Sequence, residues 1–373
     1  MIKEDSNWCE LKDIDQIDSP ALVVYLERVK YNISAVIGMI RDLSRLQPHV
    51  KTNKSLEATK LMIKAGIYKF KCATIAEGEM LGMAGAKEVL LAYQPGGPKI
   101  ARFYGLIEKF SETTYSCLVD NLDSAKSISR AAETKGLRIK IYIDLNVGMN
   151  RTGIIPGDEA IRLYEEAVRL KGLKVIGLHI YDGHIKHPEI EDRKKVCDEA
   201  FSKVEEMAAT LKKKGYENPE IIAGGSTTFP IHAKRENVIC SPGTFIYWDR
   251  GYGLALKEQK FLHAALVITR VVSLPSSNKI CLDLGHKSIA SENELYKRVH
   301  FINAPDLQFV SQSEEHLVVA AQKEHHFKVG DVLYGIPYHI CPTCALYERV
   351  LVSEGQQVIG EWKVVARNRK IEI

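Results

Sequence analysis

Two lysines three residues apart, Lys51 and Lys54, sit in the segment "PHVKTNKS" (48–55), between a short apolar stretch and the amphipathic run "SLEATKLMIKAG". A lysine at the carboxyl end of a strand points into the mouth of an α/β sheet. Partial desolvation there favours the neutral amine and makes it a nucleophile toward a carbonyl. Lys51 has that position, whereas Lys54 lies at the start of the helix and is expected to face solvent. Two glycine turns close later strands, "AGGSTTFP" (223–230) and "CSPGTFIYW" (240–248). Glycine lets backbone N–H groups approach an anion, and the hydroxyls of Ser226, Thr227 and Thr244 add donors. An activated lysine beside a phosphate cup calls for a cofactor carrying both an aldehyde and a phosphate, and pyridoxal 5′-phosphate has both.

Other strand ends add to this set. "IDLNVGMNRTG" (143–153) places Arg151 where it could hold a phenolate or a carboxylate. "HIYDGHIKH" (179–187) places Tyr181 and His184 beyond a strand. A histidine near its ordinary pKa can take a proton from a substrate hydroxyl, with His187 as the reserve. Far along the chain, "GIPYHICPTC" (335–344) sets His339 and Cys341 two apart after a strand pattern. In extended backbone both would face one ion and leave coordination positions open for substrate. A thiolate ligand favours zinc over manganese or magnesium. Cys341 and Cys344 also spell C-x-x-C, so a dithiol pair is the rival reading.

The elements that must position these residues follow a strand–helix alternation from about residue 20 to about 250. The strand patterns are "ALVVYL", "HVKT", "KFKCATI", "EVLLAY", "SCLVD", "RIKIYIDL", "KVIGLHIY", "EIIAGG" and "NVICSPG". Amphipathic runs such as "EAIRLYEEAVRLKG" lie between most of them. This favours a (β/α)8 TIM-type barrel over residues 20–250, with an open doubly wound sheet as the alternative, and in a barrel the functional groups sit at the carboxyl ends of the strands. Over residues 251–373 the helical pattern fades into strands and turns. That segment is expected to form a β-rich C-terminal domain carrying the metal pair, joined by residues 1–19.

Composition restricts the function classes. The 51 basic and 47 acidic side chains leave a net charge of +4, too small a bias to imply nucleic acid. Eight scattered cysteines in a chain of 373 residues favour reduced thiols. No apolar run reaches the roughly 20 residues of a membrane span, and a cytoplasmic protein is expected.

Taken in order, "PHVKTNKS", "CATIAEGEML", "IDLNVGMNRTG", "GGSTT" and "SPGTFIY" resemble the pyridoxal-phosphate enzymes of the alanine-racemase-like fold (fold type III). The likeness is to the metal-activated branch of D-threonine aldolases and D-serine dehydratases. The resemblance implies that Lys51 takes the cofactor's aldehyde and that Arg151 contacts its ring or phenolic oxygen. It implies a phosphate cup formed by Gly224, Gly225, Ser226, Thr227, Gly243, Thr244 and Tyr247. It makes His184 the base for the β-hydroxyl proton, with Tyr181 beside it, and His339 and Cys341 the ligands of a divalent metal. The implied activity is that of a lyase on D-3-hydroxy-amino acids, first of all cleavage of D-threonine to glycine and acetaldehyde. The His-x-Cys pair keeps a D-serine or D-threonine dehydratase open, and an amino-acid racemase of the same fold is a further alternative. A homodimer is implied by the resemblance alone.

Overall fold

The protein is described as a computed structural model covering residues 7–321 and 325–373. The chain divides into two compact units. One takes the chain up to Ala35, then Thr52–Ser55 and Thr244–Arg367; the other takes Val36–Lys51, Leu56–Gly243 and Asn368–Ile373.

The first strand, β1 (Ala21–Tyr25), belongs to a mixed sheet described below. The next seven are β2 (Lys69–Cys72), β3 (Glu88–Leu91), β4 (Thr114–Val119), β5 (Ile139–Leu145), β6 (Leu173–Ile180), β7 (Glu220–Ala223) and β8 (Val238–Cys240). They run parallel in chain order, β2 through β8. The segment before Lys51 closes this sheet into an eight-membered barrel. Leu46 bridges Cys240 on β8, while His49 bridges Lys71 on β2. Gln47 N–H donates to the Cys240 carbonyl (2.8 Å), and Val50 N–H donates to the Lys71 carbonyl (3.0 Å). Two of the helices between these strands start at a short polar side chain that caps them. Thr74 accepts the Glu77 N–H at 3.0 Å, and Asn121 accepts the Ser124 N–H at 2.8 Å. Leu90, Leu118, Tyr142 and Ile222 form one buried cluster of this unit, with Ala92, Ile176 and Ile239 packed against it.

One departure from regular register matters for chemistry. Between β5 and β6, Ile141 pairs with Val175 but Tyr142 pairs with Gly177, so Ile176 is an extra residue on β6. Such a bulge shifts the side-chain alternation downstream by one. Asp144 is thereby paired with His179.

The other unit is built on the mixed sheet. Its later strands are β9 (Ala265–Ser276), β10 (Lys279–Leu282), β11 (Val299–Phe301), β12 (Gln308–Gln312), β13 (Leu317–Ala320), β14 (Val332–Pro337), β15 (Arg349–Glu354) and β16 (Gln357–Lys363). Strand β1 lies between β9, antiparallel to it, and β15, parallel to it. The expectation that "ALVVYL" is a barrel strand is therefore corrected. Its apolar run suits a fully buried strand, and such a run does not reveal which sheet buries it. Cys9, Leu11 and Ile17 pack with Val23, Tyr25, Leu266, Ile268, Tyr334 and Ile336. Residues 1–6, part of the N-terminal stretch assigned to the β-rich domain, lie outside the described residues.

Candidate active site

Lys51 ends the segment that closes the barrel and is half-buried; its N–H donates to His49 Nδ1 at 3.3 Å. Beside it lies a charged cluster formed by penultimate residues of three strands: Lys71 on β2, Asp144 on β5 and His179 on β6. All three are buried. Lys71 Nζ is 2.8 Å from His179 Nε2, and His179 Nδ1 is 2.7 Å from Asp144 Oδ1. Burial lowers the Lys71 pKa to about 7, with Lys51 and Arg151 pushing the same way against Asp144 and Asp182.

Tyr181, just after β6, carries its half-buried ring between two cations, Arg151 at 5.0 Å and Lys71 at 5.9 Å from the centroid. Glycines make room for that ring, since a Cβ on Gly225 would lie 2.9 Å from it and one on Gly183 2.3 Å. Arg151 and His184 are exposed, and the His184 imidazole packs over Gly148. His187 is also exposed, its carbonyl accepting from Arg193 at 2.7 Å.

The turns after β7 and β8 meet. Gly243 N–H donates to Ser226 Oγ at 3.3 Å, and Gly224 holds a left-handed φ of 80°. Two hydroxyls at this junction, Thr227 Oγ1 and Ser241 Oγ, are buried with no hydrogen-bond partner among the described residues. Buried polar atoms are seldom left orphaned. A pair of donors beside glycine turns fits a phosphate, so the residues present suit the pyridoxal phosphate group. Ser241 was not singled out in the sequence, although it stands in the quoted turn.

A network behind this cup ties it down. Asp182 accepts from Thr228 Oγ1 at 2.6 Å and from His232 Nε2 at 2.8 Å, and Cys197 Sγ is 3.4 Å from His232 Nε2. Asp182, Cys197 and His232 lie close enough together to resemble metal donors. Arg235 argues against an ion there. Its guanidinium donates to His232 Nδ1 at 2.7 Å, so Nε2 carries the ring proton toward Asp182. Metal on Nε2 would require a doubly deprotonated imidazole. Burial also raises the Cys197 thiol to about 12, far from the thiolate that an ion needs.

In the mixed-sheet unit, His339 and Cys341 come together by a route different from the expected extended backbone. Strand β14 stops at Pro337, His339 caps the helix Ile340–Leu346, and Cys341 stands in its first turn. Burial draws the His339 pKa down, but hydrogen bonding to Cys341 and Glu292 overcomes it and raises the value to about 9. Glu292 accepts from His339 Nδ1. A carboxylate on Nδ1 leaves Nε2 for an ion, the arrangement common around zinc. Cys341 Sγ lies 3.1 Å from Thr52 Oγ1 and 3.9 Å from Thr244 Oγ1. These donors suit a divalent metal. The dithiol alternative weakens, because burial raises the Cys344 thiol to about 12 and its Sγ donates to the Asn53 carbonyl at 3.5 Å. Thr244 and Tyr247 are buried in this unit. Lys54 is half-buried rather than solvent-facing, with a left-handed φ of 50° and its carbonyl accepting from Ala366 at 3.1 Å. A cleft of about 500 Å³ in the same unit is lined by Asp13, Arg349 and Glu361 but by none of these donors.

The family described as "Alanine racemase, N-terminal domain" matches residues 24–251. The chain belongs to the alanine racemase N-terminal domain family. Residues 264–353 match a second family, described as "Putative serine dehydratase domain". The chain is 24% identical to a 3-hydroxy-D-aspartate aldolase from Paracoccus denitrificans, over 96% of this chain and 94% of that protein. The structure of a D-threonine aldolase from Filomicrobium marinum superposes with a TM-score of 0.86 at 25% identity, covering 94% of this chain and 96% of that one. A D-threo-3-hydroxyaspartate dehydratase from Delftia sp. HT23 gives 0.80 at 20% identity, covering 93% and 97%. A histidine-to-alanine mutant of a D-threo-3-hydroxyaspartate dehydratase, and a cysteine-to-alanine mutant in the metal-free form, have the same fold, with TM-scores of 0.79 and 0.78. Family membership and these neighbours agree with the alanine-racemase-like barrel and β-rich domain read from the sequence.

Lys71, Asp144, His179, Ser241 and Glu292 are the site residues that sequence reasoning missed. A lysine inside the otherwise apolar "FKCATI" was the available signal for Lys71. The register that joins Asp144 to His179 left none.

Proposed function

We propose that the protein is a pyridoxal 5′-phosphate- and divalent-metal-dependent lyase acting on D-3-hydroxy-amino acids, cleaving D-threonine to glycine and acetaldehyde. The observation that carries this is the barrel mouth, where a strand-end lysine stands in a cationic cluster and two orphaned hydroxyls line glycine turns. When bound, the cofactor supplies an aldehyde for an amine and a ring that accepts the electron pair of a broken bond at Cα. Lys51 would provide that amine and yield its place on the aldehyde to the amine of the substrate. Ser226, Thr227, Ser241 and the turns at Gly224, Gly225 and Gly243 hold the phosphate, and Arg151 holds the phenolic edge. Tyr181 offers its ring as a wall for the cofactor. His184 takes the β-hydroxyl proton as the Cα–Cβ bond breaks, and Lys51 returns a proton to Cα. His339 and Cys341 hold the ion, zinc by ligand type, with Glu292 fixing the imidazole. Among the neighbours, the dehydratase supports this pair, because its mutated histidine and cysteine are also two residues apart.

That match favours a second reading, dehydration, in which Lys51 removes the Cα proton, the hydroxyl leaves as water, and a 2-oxo acid and ammonia result. Incubation with D-threonine decides. Glycine with acetaldehyde is expected, abolished by Lys51→Ala and by a chelator. Formation of 2-oxobutanoate and ammonia would transfer the assignment to dehydration, and no turnover of any D-3-hydroxy-amino acid would reject both.

A further inference from the structure

The cluster at the barrel mouth contains an amine that this reaction scheme does not use. Lys71 is buried, and its Nζ is joined through His179 to Asp144. The direction of these hydrogen bonds can be assigned. Burial favours a neutral Asp144 carboxyl, but hydrogen bonds from His179 and Thr152 outweigh it and hold the group below its ordinary range. It is therefore a carboxylate, which only accepts, so His179 Nδ1 carries a proton. Burial, with the Lys71 charge second, lowers the His179 pKa, which keeps the ring neutral and Nε2 an acceptor. Lys71 is thus the donor at one end of a chain whose tautomer is fixed.

The charged groups facing Lys71 are Asp144 on β5, Asp182 after β6, Lys51 at the end of the closing segment and Arg151 in the loop after β5. His179 and the Tyr181 ring complete its surroundings. His49 bridges Lys71 at the seam of the barrel, Val50 N–H donates to the Lys71 carbonyl at 3.0 Å, and Lys51 follows directly, so the two lysines are neighbours. Neighbouring amines do not hold two protons cheaply. Burial makes Lys71 give up its proton near neutrality. A charged Lys51 cannot attack an aldehyde, so its proton must go to a base.

We propose that Lys71 is a positioning residue acting through Lys51: it accepts the proton that Lys51 must shed before attacking an aldehyde. The transfer balances as one ammonium and one amine becoming one amine and one ammonium. The new charge on Lys71 is stabilised by His179 Nε2 and by the Asp144 and Asp182 carboxylates. This rests on the reading of Lys51 as the cofactor-bearing lysine.

The test is the rate at which pyridoxal 5′-phosphate forms an adduct on Lys51, trapped with borohydride and located by peptide mass spectrometry across a pH series. In the wild type the rate is expected to rise through about pH 7 and then level off. Lys71→Gln, which can still donate to His179, is expected to lower the neutral-pH rate by at least about tenfold and to remove the plateau. Lys71→Arg, a cation that accepts no proton, is expected to lose as much, which separates a base from a mere charge. Circular dichroism checks that each variant is folded, and Lys71→Met serves if Lys71→Gln is not. A folded neutral variant whose profile superimposes on the wild type overturns the proposal while leaving Lys51 in its role. An adduct on any residue other than Lys51 in the wild type rejects the cofactor reading itself.

Discussion

Lys71 is a cation-forming side chain placed where burial opposes its charge, and this has a consequence for stability. Its pKa falls from 10.5 to about 7 in the folded protein. Between those two values the unfolded chain binds a proton that the folded chain has released. Stability therefore rises with pH through this window, and the full penalty is present below about 7. Lys71→Met has no such group. The stability of the wild type minus that of the variant should climb with pH by at most roughly 1.4 kcal/mol per unit. Urea unfolding of both proteins between about pH 7 and about pH 9 measures it. A flat difference would mean that Lys71 keeps its proton in the fold. At this scale the sequence was informative for groups on strand ends and in glycine turns, because residue type and position there already restrict the chemistry. Lys51, Arg151, Tyr181 and Ser226 were singled out that way. Glu292 was not, because it is 47 residues from the histidine it orients, and that contact is set by tertiary structure alone.

At the scale of elements, the Lys71–His179–Asp144 chain depends on Ile176 standing unpaired in β6. Were Ile176 paired with Tyr142 in regular register, Asp144 would meet Leu178 and His179 would turn to the other face. Deleting Ile176 joins Val175 to Gly177 and leaves the other pairs in place, so Asp144 is expected to stay opposite His179. The deletion removes a side chain that packs against Leu90, Leu118, Tyr142 and Ile222, and is expected to cost about 1–3 kcal/mol. Thermal unfolding measures the loss, and the ring-nitrogen NMR signals of His179 are expected to keep its fixed tautomer. A lost tautomer would mean that the strand slips instead of closing up. The strands of the barrel were legible because apolar β-branched runs between amphipathic helices have few alternatives. The bulge was not, since "KVIGLHIY" alternates no differently with it or without it. For "ALVVYL" the strand was legible and its sheet was not.

For the whole molecule, the segment up to Ala35 joins Thr244–Arg367 to build the unit that carries His339 and Cys341. Strand β1 is central in its sheet, and the segment before it packs on that strand through Cys9, Leu11 and Ile17. Tyr25 Oη donates to the Cys9 carbonyl at 2.6 Å, and the Arg270 guanidinium donates to the Ile14 and Ile17 carbonyls at 2.6 Å each. Composition could not reveal this, because residues 7–18 are mostly polar, and Trp8, Leu11, Ile14 and Ile17 recur every three residues, a spacing that marks neither a strand nor a regular α-helix. Removing residues 1–18 would take these three buried apolar side chains from the cluster and leave the Arg270 donors to water. At about 1.5–3 kcal/mol for each side chain the loss is on the order of 5 kcal/mol, an upper figure because unfolded chains bury some surface already. For a unit of this size that lowers the melting temperature by roughly 10 °C. Differential scanning calorimetry of the shortened chain checks the shift. Borohydride trapping at Lys51, measured well below the transition, should persist, because the strands that hold Lys51 and Lys71 are in the other unit. An unchanged melting curve would show that the N-terminal segment covers the sheet without stabilising it.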